Sequence, residues 1–251
     1  MLTAFNKVGR GMLRAFTSRQ YSSATFLTSE LRDSILFFLH LIPNMTPRLI
    51  DLRVALRSTL VIWSDAMYES GRGALGFVVY DPDVSSFMYS AYKVPAWVYL
   101  FFRLLGTYIG QLEIAAVLLC YLTIPKRVLS GRPVLHYIDN TSSMAGAIKG
   151  SSPKRDSAWM LTVLHILFSS LNIAPWFAYV ASKANCSDGP SRFDFAFVRD
   201  TLSATWLDPL MLTREQWSRR LTDWIPVLPP RHKRNTGAER RAAKKERGAQ
   251  T

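Results

Sequence analysis

With 49% hydrophobic and 12% aromatic residues, the 251-residue chain carries enough apolar side chain for one substantial core, which excludes a disordered polymer. Its net charge of +13 sits mainly on the flanks, about +5 over residues 1–57 and +6 over 231–251, and points to a polyanion partner, nucleic acid before an anionic membrane. Two cysteines, Cys120 in an apolar run and Cys186 in a polar loop, exclude a disulfide framework and a zinc site, and fit an intracellular location, nuclear or cytoplasmic.

Residues 1–57 read as a helical segment. Leu27, Leu31, Ile35, Leu36, Leu39 and Leu41 predict an amphipathic helix starting at Thr28 or Ser29 and stopped by Pro43. A second short helix follows Pro47, through Ile50, Val54 and Leu56. The central domain is expected over 58–200. Leu60 to Trp63 is a short apolar run leading to Asp65, the first strand. A turn at Gly71 and Gly73 leads into a second strand, Ala74 to Tyr80, and Asp81-Pro82-Asp83 turns the chain into a third, Ser85 to Val94.

The most hydrophobic stretch, 94–124, is interrupted by Pro95, Arg103, Gln111 and Glu113. Its clean piece, Ile114 to Leu122, is too short to span a bilayer, so no membrane partner is expected. Gln111 to Leu122 is predicted as a buried helix stopped by Pro125. Val134 to Ile138 is a fourth strand ending at Asp139. Asn140 caps a short helix closed by Gly150, and Ser151-Ser152-Pro153 starts a longer one to about Asn172, with Trp159, Leu164 and Leu167 in the core. A fifth strand, Pro175 to Ala181, and a helix over 188–200 complete the domain. Residues 201–251 form a C-terminal extension whose charged end, poor in apolar residues, is expected to be disordered. The order β-β-β-α-β-α-α-β-α implies an α/β fold: a mixed five-stranded sheet, three strands antiparallel and then two parallel, with helices on both faces. Ligands in such sheets bind outside the carboxyl ends of strands, where Asp65 and Asp139 stand.

Four acids, Asp65, Glu113, Asp139 and Asp188, lie in four local settings. A carboxylate inside an apolar run is costly unless it is paired or binds a cation. Converging carboxylates suit hard divalent metals, and beside a phosphate they make a two-metal site for phosphodiester cleavage. Each acid also has a plain structural reading. Asp65 and Asp139 can end strands, Glu113 can favour a helix dipole, and Asp188 can cap a helix.

The chain resembles ribonuclease H, and more narrowly the ribonuclease H-like domain that follows the reverse transcriptase of long-terminal-repeat and tyrosine-recombinase retroelements. Four pieces carry the resemblance: Trp63-Ser64-Asp65-Ala66 with Gly71, Gly73 and Gly76; Gln111-Leu112-Glu113; Tyr137-Ile138-Asp139-Asn140-Thr141; and Ser182-Lys183-Ala184-Asn185 with Asp188, Ser191 and Arg192. The acids are spaced by 48, 26 and 49 residues. The resemblance implies that Asp65, Glu113, Asp139 and Asp188 hold two Mg²⁺ ions (or Mn²⁺), with Asp65 bridging both. It also makes Ser64, Asn140, Asn185 and Arg192 candidate substrate or supporting contacts, and it implies an RNA–DNA hybrid or other nucleic acid as partner. The segment 1–57 is then similar to the end of a thumb or connection region. The 251 residues hold no Tyr-x-Asp-Asp polymerase motif, so a reverse transcriptase domain encoded upstream is an expected partner. The family's loop histidine has no counterpart between 166 and 188, and His136 and His165 are expected to be structural.

Overall fold

Alternating side chains from Leu60 onward build a long first strand, β1 (Leu60–Glu69), in a computed structural model that describes residues 7–45, 57–103 and 107–225. Ser70 and Gly71, at φ 49° and 75°, form a two-residue hairpin turn, since two consecutive left-handed residues match the twist of paired strands. The chain returns as β2 (Arg72–Asp81) and folds back again as β3 (Ser86–Lys93). β4 (Val134–Ile138) adds parallel to β1, and β5 (Trp176–Tyr179) adds parallel to β4. The three-antiparallel, two-parallel sheet is as expected, with two departures. The first strand does not stop at Trp63 but runs to Glu69, because Ala66 and Tyr68 continue the alternation, so Asp65 stands mid-strand. A sixth strand, β6 (Thr205–Trp206), pairs parallel with β3, giving the order β5-β4-β1-β2-β3-β6.

The helices preceding the sheet are α1 (Leu13–Gln20) and α2 (Ser29–Asn44). Thr28 caps α2 as expected, its hydroxyl accepting from the Leu31 N–H at 3.3 Å. Phe37 and Leu41 of α2, with Val8 from the turn before α1, pack with Ile166 and Ile225. α3 (Ile109–Thr123) is buried along nearly its whole length between the sheet and α6 (Arg155–Leu171). A one-turn helix, α4 (Lys126–Leu129), leads from it towards β4. α5 (Thr141–Lys149) is capped by Asn140 and ends on Gly150 at φ 69°. Lys154, not Ser151 or Ser152, occupies the cap position of α6 and makes no side-chain cap.

Side chains on one sheet face, Leu60, Ile62, Ala66, Leu75, Phe77 and Val79, meet Leu112, Leu118, Leu119 and Leu164 in the main core. On the opposite face Val78, Tyr89 and Val198 form a smaller cluster. The helix expected over 188–200 is only α7 (Asp188–Ser191). Phe193 takes φ 62°, which breaks the helix, and a single wide turn follows at Phe197–Thr201. After β6 the chain crosses back over the sheet edge. The Ser90 hydroxyl donates to the Leu207 carbonyl at 2.8 Å, and the Leu210 N–H donates to the Thr123 hydroxyl at 3.0 Å. Leu212 and Trp217, the latter in α8 (Arg214–Ser218), enter the main core. Arg132, 1% exposed, closes one end of the sheet, donating to Asp81 at 2.6 Å and to the Ser58 carbonyl at 2.7 Å. The helix expected from Pro47 to Leu56 and the basic segment 231–251 lie outside the described residues.

Candidate active site

The parallel pairing of β1 with β4 sets the site. Ser64 lies opposite Ile138, so Asp139, one residue past the end of β4, falls beside Asp65, one step further along β1. Side chains alternate along a strand, so both aspartates leave the sheet on the same face. Glu113 arrives from α3. One carboxylate oxygen from each of Asp65, Glu113 and Asp139 lies within 4.8 Å of the other two. Asp65 and Glu113 are buried and Asp139 is half-buried, so the cluster is open on one side only.

Three carboxylates in so small a volume cannot all ionise cheaply. Burial pushes Glu113 up to about 9 from an ordinary value of 4.5, and the charges of Asp65 and Asp139 push in the same direction. Asp65 is pushed up to about 6, first by burial and then by Asp139 and Asp188, while the Ser191 hydrogen bond pulls it back. Among the described residues the Glu113 Oε2 atom is buried without a hydrogen-bond partner. That is an unusual condition for a carboxylate oxygen and one that a cation would relieve.

Asp188 opens α7 at the rim, outside the three-carboxylate group, yet close enough for its charge to raise Asp65. It is half-exposed and accepts from the Arg192 Nε–H at 3.1 Å, and Arg192 in turn donates to Glu69 at 2.7 Å. Of the remaining candidates, Ser64 is corrected. Being one residue from Asp65, it faces the other side of the sheet, fully buried, and its hydroxyl shares a 2.8 Å hydrogen bond with His136. His136 shares another with the Tyr121 hydroxyl at 3.0 Å, so Ser64 sits in a buried polar chain that no substrate reaches. Asn185 is buried and braces a loop. Its amide donates to the Ser64 carbonyl at 3.3 Å, and its oxygen accepts from the Ser187 hydroxyl at 2.6 Å. Asn140 accepts from the Ser143 N–H at 2.9 Å as the cap of α5. Arg192 alone of these four keeps its charged head partly in solvent. Both histidines are buried, His165 hydrogen-bonded to the Ala147 carbonyl at 3.0 Å.

Ser191, which carries the resemblance together with Asp188 and Arg192 but is assigned no role by it, touches the acidic group. Its hydroxyl donates to Asp65 Oδ2 at 2.6 Å. No helix among the described residues is long and apolar enough to cross a membrane.

No protein-family model matches the chain, and a search of curated proteins finds no match. Similar solved structures include the ribonuclease H1 LC11 isolated from compost by a metagenomic approach, at 11% identity over 54% of this chain and 94% of that one, with a TM-score of 0.43. Ribonuclease H1 from the archaeon Halobacterium salinarum NRC-1 is similar at 10% identity over 55% and 98% of the two chains, TM-score 0.39. The N-terminal ribonuclease H domain of rv2228c from Mycobacterium tuberculosis, fused to maltose-binding protein, is similar at 13% identity over 54% and 98%, TM-score 0.39.

Proposed function

We propose that this chain is a divalent-metal-dependent endonuclease of the ribonuclease H type, which cuts the RNA strand of an RNA–DNA hybrid within the reverse-transcription machinery of a retroelement. The observation that carries the reading is the meeting of Asp65, Glu113 and Asp139, drawn from a strand, a helix and a strand end far apart in sequence, within 4.8 Å. A purely structural role does not account for that meeting. A carboxyl held near 9 and another near 6 weaken the fold at neutral pH unless something neutralises them.

The donor set fits the metal the reading calls for. All-carboxylate oxygen ligands suit Mg²⁺ or Mn²⁺ and disfavour softer ions. Asp65, Glu113 and Asp139 would hold a first ion, and Asp188 would complete the site for a second. Bound there, such a pair supplies an activated water and neutralises charge on the leaving oxygen. The chain's own residues bind and orient. Asp65 is held in place by Ser191, and Glu113 is walled off from water by the core. Arg192, at the open rim, suits a backbone phosphate once its bonds to Asp188 and Glu69 are exchanged. The location would be intracellular, nuclear or cytoplasmic, with a reverse transcriptase domain encoded upstream as partner.

The test is cleavage of an end-labelled RNA–DNA hybrid with Mg²⁺, which EDTA and Asp139→Asn should each abolish. An uncut hybrid that still binds the protein would refute the nuclease and leave a non-catalytic binding module or a decayed element.

A further inference from the structure

Resting on the reading of Asp65 as a cation ligand, we infer that Ser191 is a positioning residue that fixes the Asp65 carboxylate for metal binding and ties it to the helix carrying Asp188. The Ser191 hydroxyl lies 2.6 Å from Asp65 Oδ2 and 2.8 Å from the Asp188 carbonyl oxygen. It has one proton to give. An ionised carboxylate is the stronger acceptor, so the proton goes to Asp65 and the carbonyl is the fallback. Ser191 is wholly buried, so no water competes for either bond.

The helix is placed for this by an absent side chain. Gly76 lies directly across from Asp65 in β2. A Cβ on it would sit 2.3 Å from the Ser191 backbone nitrogen and 2.6 Å from the Pro190 carbonyl carbon. Strand and helix therefore meet backbone to backbone at this one point, and the hydroxyl reaches the neighbouring strand's carboxylate without stretching. The Ser191 N–H donates to the Ser187 carbonyl at 3.0 Å, which fixes the helical turn between Ser187 and Ser191. Asp188 stands within that turn. One hydroxyl thus holds the Asp65 carboxylate against the turn that carries Asp188.

The experiment is a Mn²⁺ titration of the full chain, followed by the loss of the free-ion electron paramagnetic resonance signal, with unfolding midpoints in EDTA as the measure of fold. Ser191→Ala should bind Mn²⁺ about 10–100-fold more weakly than wild type, the usual effect of losing a partner that orients a ligand. Ser191→Val and Ser191→Thr share a shape and differ in the hydroxyl, so they separate orientation from packing. Threonine should restore affinity to within a few-fold, and valine should not. Equal affinities for wild type and Ser191→Ala, or for the valine and threonine variants, would overturn the positioning role while leaving the metal site standing. A wild-type chain that binds no Mn²⁺ would bring down the metal reading itself, and this inference with it.

Discussion

Replacing Glu113 by glutamine should change how stability depends on pH more than it changes stability at any one pH. The Glu113 carboxyl is raised to about 9 in the folded chain from an ordinary 4.5. A group raised on folding contributes stability that is fully present below its unfolded value and is lost as pH rises through the folded one. Between 4.5 and 9 the native state holds a proton that the unfolded state has released, so wild type should weaken by about 1.4 kcal/mol per pH unit across that window. By pH 5 the loss is about 0.8 kcal/mol, and by pH 7 it is about 3.4 kcal/mol. Glutamine keeps the shape and does not titrate. Whatever offset it introduces by burying an amide is constant with pH. The stability difference between Glu113→Gln and wild type should therefore grow in the variant's favour by about 2.5 kcal/mol from pH 5 to pH 7. That corresponds to roughly 5–10 °C in midpoint for a chain of this size. Thermal unfolding in EDTA at several pH values measures it directly. Parallel pH curves for the two proteins would refute the argument, because they would mean Glu113 titrates alike in both states. Adding Mg²⁺ should lift the wild-type curve most at the upper end of the range and the variant's much less.

Gly76→Ala should detach α7 from the sheet, since the new Cβ would meet backbone and not a movable side chain. We expect a loss of about 1–3 kcal/mol in urea unfolding, together with weakened cleavage, and a variant with wild-type activity would contradict the placement of the site. Arg132→Met should cost about 3–5 kcal/mol, because it leaves Asp81 buried without its cation. Arg132 holds Asp81 below its ordinary value, so the stability it lends is present at neutral pH and fades as acid protonates Asp81. The variant's deficit should accordingly shrink towards low pH, and a deficit constant with pH would count against the ion pair. Leu164→Ala, at a fully buried position on α6, should cost about 2–5 kcal/mol, and a loss well under 1 kcal/mol would show that the helix packs elsewhere.

Much of this is legible in the amino-acid sequence, and the reasons are local. Asp65 and Asp139 stand out because an acid ending or interrupting an apolar run is expensive, and Glu113 stands out for the same reason in an apolar helix. Their meeting follows from the parallel pairing of β1 and β4, which the helices between β4 and β5 do not by themselves fix. Ser64 was misplaced by one residue's worth of geometry. With a period of two, the neighbour of a site residue faces away from the site. Ser191 is part of the quoted motif, but its role is not legible there, because a serine after Gly-Pro looks like an ordinary turn residue and its partner lies 126 positions away. β6 has two residues and no periodicity to read. The helix expected over 188–200 ends before Phe193, whose left-handed backbone no helix accommodates and no residue type there announces.

The return of the chain after β6 has a consequence for the order of events during synthesis. Leu212 and Trp217 complete a core whose other walls are laid down from Leu60 onward, and Leu210 and Leu207 fasten to α3 and β3 through hydrogen bonds spanning 87 and 117 positions. A nascent chain that has reached α7 already holds all four acids but cannot yet shield the surface those later residues cover. Closure waits for residues 207–217. Until then the acidic cluster has no completed core behind it to resist its own repulsion, so its assembly should follow emergence of the return segment rather than of the acids themselves.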